Sequence, residues 1–351
     1  GIALGLDLQG GLHLVFEVEG DRAVEISTER FAQYLREEAR DNDVETEITI
    51  KGLEIVTEPA NEALDSIISK DYSILEPSGP GRYRIRDEQV RIIMDTSVDQ
   101  ALETIRNRID QFGVAEPRIH KQGSNEIVVQ LPGVKDPKRA IDIIGKTAQL
   151  EFMLVDDRNP VAAELPQSIL AGEEGALLID FANRISDDNV ILFQRVEEPG
   201  TGEVFKFPFL LKKEVMLTGD LLSEARVSID TRYNEPYVSL KFNAQGAKIF
   251  ENQTGAHVNE RMAIVLDGNV YSAPVIREKI PGGNAQVSGS FTMEEARDLT
   301  IVLKAGALPA PMKMLQNVTV GPSLGRDSIE AGKLAGMIGA FFVVIFMVLY
   351  Y

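Results

Sequence analysis

The spacing of hydrophobic residues changes several times along this chain, and each change marks an expected element. LHLVFEVE (12–19) alternates, with His13, Val15 and Glu17 on one face and Leu14, Phe16 and Val18 on the other, which predicts a strand within 4–19. Phe31, Tyr34 and Leu35 then recur at helical spacing among Glu and Arg, predicting a helix over about 22–40. Strand-like stretches follow at 46–56 and 83–86, with a short helix near 61–70 and a turn cluster at Pro77-Ser78-Gly79-Pro80-Gly81.

The clearest patterning lies in 90–155. A strand is expected over 90–94, and Ser97 with Gln100 reads as a capping box. Val98, Leu102, Ile105, Ile109 and Phe112 form one apolar stripe that Gly113 ends. Strands at 118–122 and 126–131 are joined by Gly123-Ser124-Asn125, Asp136-Pro137 opens a second helix, and 150–155 is another strand. That order, βαββαβ, predicts a ferredoxin-like unit at about 90–155.

After Val155 the pattern loosens. Residues 168–212 mix short apolar runs with Gly and Pro. A strand at 237–242, a helix capped by Asn243 and a hairpin around Asp267-Gly268 follow. From Phe291 the earlier style returns. Thr292 and Glu295 form a capping box, Ala296, Leu299, Val302 and Leu303 form a stripe, Gly306 ends it, and a strand follows LPAP at 314–320. The expected fold is therefore α+β: a base over 1–155, an inserted head over 156–288, and a return to the base over 289–322. The two connectors are candidate hinges: Val155, Asp156, Asp157 and Arg158 on one side, Ser288, Gly289 and Ser290 on the other.

The last apolar stretch, LAGMIGAFFVVIFMVLYY (334–351), carries no charge and no polar face. It reads as the start of a truncated transmembrane helix over 326–351, with Asp327 or Ser328 as its N-cap. Gly1 opens directly into Leu4-Gly5-Leu6-Asp7, so the expectation is a piece of a larger membrane protein with most of its mass in water.

Charge and chemistry narrow the function. With 54 acidic and 36 basic side chains the formal charge is -18, which argues against a nucleic-acid surface. The absence of cysteine excludes thiolate metal sites and cysteine nucleophiles, and His13, His120 and His257 lack metal-ligand spacing, so no metal or cofactor is expected. Carboxylate pairs such as Asp156-Asp157 and Asp187-Asp188 read as solvated charge, and no nucleophile–base arrangement suggests an enzyme. The run FKFPFLL places Phe205, Phe207, Phe209 and Leu210 together. Its Pro208 suggests an edge strand able to take up an extended peptide, although Phe at every second position also suits an ordinary core strand.

Several segments taken in order carry a family resemblance. They are LGLDLQGG (4–11), RNRIDQFGVAEPRI (106–119), IVVQLPGV (127–134), AIVLDGNVYSAPVI (263–276), and LPAP followed by VGPSLG. Together they resemble the SecD family of bacterial protein-export subunits across nearly the whole chain. The family motif residues here are Gly5, Asp7, Gly10 and Gly11 at one end and Gly321, Pro322 and Gly325 at the other. The resemblance implies a large periplasmic domain on the bacterial inner membrane, divided into base and mobile head. It also implies partnership with SecF, association with the SecYEG channel, and use of the proton-motive force to help move unfolded preprotein. The proton-carrying residues of the family lie in later membrane helices, so none is carried over. The alternative is the periplasmic part of a related proton-driven exporter of lipids or small molecules.

Overall fold

The computed structural model describes residues 10–198, 202–231, 234–289, 291–320 and 322–351. These fall into two compact units, one drawn from 1–145 and 309–351, the other from 146–308.

The first unit holds two antiparallel sheets. Strand β1 (Gly11–Val18) leads into helix α1 (Gly20–Asp41). Next come β2 (Glu47–Lys51), β3 (Glu54–Glu58), α2 (Glu62–Asp71), β4 (Leu75–Gly79) and β5 (Arg82–Ile85). The stretch expected as one strand over 46–56 is thus a hairpin, reversed at Gly52 with φ 67. β2–β5 form a sheet in the order β2-β3-β5-β4. Leu35, Ile55, Leu64, Ile68 and Tyr83 bury its one face against α1 and α2.

Helix α3 (Asp87–Phe112) corrects two expectations. Residues 90–94 are helical, because Val90, Ile93 and Met94 stand at helical spacing and pack on the core of the β2–β5 sheet. Ser97 is therefore not a cap. It lies mid-helix, buried, and its Oγ donates to the Ile93 carbonyl at 2.6 Å. The far end matches the pattern: Gly113 is left-handed at φ 83, and its N–H donates to the Ile109 carbonyl at 3.0 Å.

From there the chain forms β6 (Arg118–Gln122), β7 (Glu126–Pro132) and α4 (Pro137–Gly145), where Asp136 accepts the Arg139 N–H at 3.1 Å. The closing strand is β17 (Met312–Val320). The sheet order is β17-β1-β7-β6, with every neighbour antiparallel. Its connectivity is strand, helix, strand, strand, helix, strand, carried by β1, α3, β6, β7, α4 and β17. The first and last strands are thus not 90–94 and 150–155. They come from the two ends of the chain. Leu12, Leu14, Val129 and Leu131 are fully buried at the middle of this sheet.

Helix α9 (Pro322–Tyr350) follows β17. It opens at Pro322, a favoured first position, so Asp327 and Ser328 lie inside it rather than at its cap. Its last 20 residues, Ala331–Tyr350, are apolar but for Lys333, and unburied. At 1.5 Å per residue they span about 30 Å, the thickness of a bilayer core.

The second unit begins with β8 (Leu150–Val155), then α5 (Pro160–Glu164), β9 (Ile169–Leu170), α6 (Glu174–Phe181), β10 (Asn189–Glu197) and β11 (Val204–Thr218). β12 (Leu222–Asp230), β13 (Glu235–Phe242), α7 (Ala244–Ala256), β14 (Met262–Leu266), β15 (Asn269–Ser272), β16 (Asn284–Val287) and α8 (Met293–Ala305) complete it. β8, β11, β10, β15 and β14 pair in a closed circuit. Met153, Val155, Leu211, Val265 and Val270 meet inside it, so the interior is packed with side chains. On the outer face, Ile191, Phe193 and Leu210 take Leu177 and Phe181 of α6. Phe152, on the opposite face of β8 from Met153, joins Phe242 and Phe250 at ring separations of 5.5 and 5.9 Å and ties the circuit to the sheet β12-β13-β16.

The division between units departs from the expected 1–155, 156–288 and 289–322. β8 belongs to the second unit through its pairing with β11 and β14. α8 belongs there too, packing on β12 and β13. The α8 stripe, Ala296, Leu299, Val302 and Leu303, is buried as its spacing predicts. Its capping box forms as well: the Thr292 hydroxyl accepts the Glu295 N–H at 3.1 Å, and the Glu295 carboxylate accepts the Thr292 N–H at 2.8 Å. Thr292→Ala is expected to lower stability by about 1 kcal/mol, read as a shift in the urea midpoint, while Thr292→Asp keeps the cap and the midpoint.

Candidate functional site

The two hinge candidates lie within the second unit. Val155 is buried, and its N–H donates to the Arg261 carbonyl at 2.9 Å. The Asp156 N–H donates to the Leu210 carbonyl at 2.9 Å, and its carboxylate accepts from the Asn189 amide at 3.0 Å. Asp157 takes both arms of the Arg261 guanidinium, one at 2.7 Å. Those hydrogen bonds raise the Arg261 pKa above its ordinary value against the opposing effect of burial. Arg158 reaches Glu260 at 3.0 Å. A segment stitched down by main chain and side chains together is no free connector. Ser288 and Gly289 follow β16 inside the same unit, and Ser290 lies outside the described residues. The chain passes between units at Gly145/Lys146 and Leu308/Pro309 instead. Just inside the second unit, the Leu308 N–H donates to the Thr147 carbonyl at 2.8 Å, so the outgoing and returning segments are bonded to each other.

The aromatic run lies on β11, which is not an edge strand. β10 pairs along one side, while β9 and β8 pair along the other. Pro208 is accommodated by a gap in that second ladder. Leu210 offers its carbonyl to Asp156 on that side, and Pro208, two residues earlier, faces the same way where no strand is registered. Leu210 is 1% exposed in the core beneath α6, which removes it as a contact for a bound chain. Phe209 packs on the circuit interior, with the Arg261 guanidinium 5.4 Å from its ring centroid. Phe205 and Phe207 share its face of the strand and are half-buried.

At the family-motif positions, β1 and β17 pair the described end of one Gly-rich piece with the start of the other. Gly11, with φ 143, stands opposite Val320, and the Gly10 carbonyl accepts the Gly133 N–H at 3.0 Å. Pro322 and Gly325 sit in the first turns of α9. Gly5, Asp7 and Gly321 lie outside the described residues.

Two features have only faint signatures in the sequence. Arg108 is 0% exposed, and its Nη1 donates to the carbonyls of Ile143 and Ile144, each at 3.0 Å, in the last turn of α4. The signal was present: Arg108 sits on the apolar stripe between Ile105 and Ile109. Helix α6 has no helical period to read, because the apolar residues of its ALLI run fall on both its inner and outer sides.

Two α+β units and one helix long and apolar enough to cross a membrane fit the class of membrane-protein components. Comparison with known proteins gives the class its family. Residues 98–157 match the family model described as "Protein translocase subunit SecDF, P1 domain, N-terminal", and residues 193–310 match "SecDF, P1 head subdomain". The chain is 47% identical to the protein translocase subunit SecD of Calditerrivibrio nitroreducens and 43% identical to that of Desulfurispirillum indicum. In both cases all of this chain and 67% of the relative are covered, so it spans about two thirds of their length. A crystal structure of SecDF in a super-membrane-facing form superposes with a TM-score of 0.53 at 28% identity, over 98% of this chain and 35% of that one. The chain belongs to the SecD family of protein translocase subunits. That family has an accessory, non-enzymatic role in Sec-dependent protein export.

Proposed function

We propose that this chain is the periplasmic part of a protein-export motor subunit, which holds unfolded preprotein in its second unit and moves that unit relative to a base anchored by α9. The connectivity and order β17-β1-β7-β6 support reading the first unit as a ferredoxin-like base. The observation that carries the mechanism is that the chain crosses between units twice, at Gly145/Lys146 and at Leu308/Pro309. A joint of two such crossings can turn without disturbing either core. SecF, the SecYEG channel and the proton-motive force enter as partners of the intact protein, and proton flow biases the arrangement only by binding its states unequally. The rival reading, an exporter of lipids or small molecules, calls for an enclosed apolar pocket. The filled interior of the β8–β11–β10–β15–β14 circuit does not favour it.

The chain has no cysteine, so introduced cysteines are its only thiol-labelling sites. With dyes at Ile92→Cys in the first unit and Ile229→Cys in the second, both half-exposed, single-molecule energy transfer in membranes should report at least two distance populations that redistribute with the proton gradient. A single static population would remove the moving joint. For polypeptide binding, a photoreactive residue at Phe205 or Phe207 should cross-link to a stalled secretory chain.

A further inference from the structure

The outer face of α6 is apolar where a surface helix should be polar. Leu177 and Phe181 point into the core, yet Ile179 on the opposite side is 78% exposed and Leu178 on the flank 40%. Ala176 and Ala182 continue that face, and Leu170 of β9, 48% exposed, lies just before the helix. A helix with apolar side chains on its outer side as well as its inner one is normally covered on both. We infer that this face of α6 is a docking strip for an unfolded polypeptide segment rich in apolar and basic residues. The inference rests on the proposed export function and names the kind of segment bound.

Charge selects the occupant. Between Asn159 and Glu198 the chain carries eight carboxylates against two cations; Arg184 pairs with Glu164 and Arg195 with Glu197, and Lys206 of β11 reaches Glu174 at 3.4 Å, so the acidic surplus lies in Asp180, Asp187 and Asp188. Asp180 and Asp187 are exposed at and beyond the end of the helix. An anionic lipid surface would be repelled by this rim. A second copy would set the same carboxylates against each other. A cationic partner gains from them, and its apolar side chains cover Leu178 and Ile179.

The binding mode also follows. The Leu170 N–H donates to the Glu173 carboxylate at 3.0 Å, and its carbonyl accepts the Glu173 N–H at 3.2 Å. Glu173 thereby occupies the main-chain groups of β9 that an added strand would use. The strip reads side chains and not backbone, in contrast to strand addition.

The test uses the full chain in nanodiscs and two unstructured 20-residue peptides, one of Leu, Ala, Ser and Lys, the other with Glu for every Lys. Fluorescence anisotropy should show the Lys peptide bound at least ~10-fold more tightly. Ile179→Asp should weaken it ~10-fold, and Asp180→Lys with Asp187→Lys should erase the preference. Ile179 is largely exposed, so its substitution leaves the fold intact, checked by an unchanged urea midpoint. Peptide binding with no charge preference and no response to Ile179→Asp overturns the strip while leaving the export reading in place. No binding of either peptide, together with no cross-link from Phe205 or Phe207 to a stalled chain, overturns the export reading itself. Vesicle binding or dimerisation abolished by Ile179→Asp assigns the face to lipid or to a second copy, and either result overturns the inference.

Discussion

Replacing Arg108 with alanine is expected to destabilise the first unit by about 3–5 kcal/mol. The guanidinium is fully buried and gives hydrogen bonds to two carbonyls at the C-terminal end of α4. Hydrogen bonds from a charged donor contribute about 1.5–3 kcal/mol each, and the negative end of the helix dipole adds to the attraction. Alanine removes both bonds, leaves the Ile143 and Ile144 carbonyls buried without that donor, and opens a cavity beside α3. Lysine restores the charge but not the reach of a planar fork, so Arg108→Lys should fall between the two. Urea unfolding followed by circular dichroism reads the loss. Hydrogen exchange should show α4 deprotected while α7 in the second unit keeps its protection. As a comparison, Arg106→Ala removes an exposed pairing with Glu103 and should cost under about 0.5 kcal/mol. A loss below about 1 kcal/mol for Arg108→Ala would show that the α4 end is held by something else.

The second large effect is expected at Gly283. Its φ is 66, a left-handed conformation, and a Cβ there would lie 2.6 Å from the Ala247 Cβ and 2.8 Å from the Ala247 Cα. Gly283→Val therefore carries the left-handed cost of about 1–2 kcal/mol plus an overpacking cost of about 1–3 kcal/mol against α7. The sum, about 2–5 kcal/mol, should appear in the unfolding of the second unit. Gly268, with φ 73 and open space around it, separates the two contributions: Gly268→Ala should show only the backbone cost. Equal losses for Gly283→Val and Gly268→Ala would mean that the close approach to Ala247 relaxes without cost.

Local signals read well from the chain. The α3 and α8 stripes, the Gly113 stop, the Thr292–Glu295 box and the Asp267-Gly268 hairpin all lie where spacing and turn chemistry put them, because each depends on neighbours within a few residues. The membrane helix is legible for the same reason. Where local pattern was ambiguous, it misled. VRIIM (90–94) has the β-branched content of a strand, but Val90, Ile93 and Met94 pack at helical spacing on the β2–β5 core. FKFPF suggests an edge because proline lacks an N–H. A gap in one ladder supplies the same relief within a strand flanked on both sides.

By itself, then, the sequence determined the class α+β, most helix ends and turns, the apolar membrane helix and, through ordered motifs, the family. Tertiary structure decided which strands share a sheet, where one unit stops and the next begins, that Leu210 is core, that Arg108 clasps α4, and that the far side of α6 lies bare. The reason is the range of the interactions. Caps, turns and periodicity are settled within a few residues, whereas β1 finds β17 across some 300 residues. Whether an apolar side chain ends inside or outside depends on what the rest of the chain brings against it.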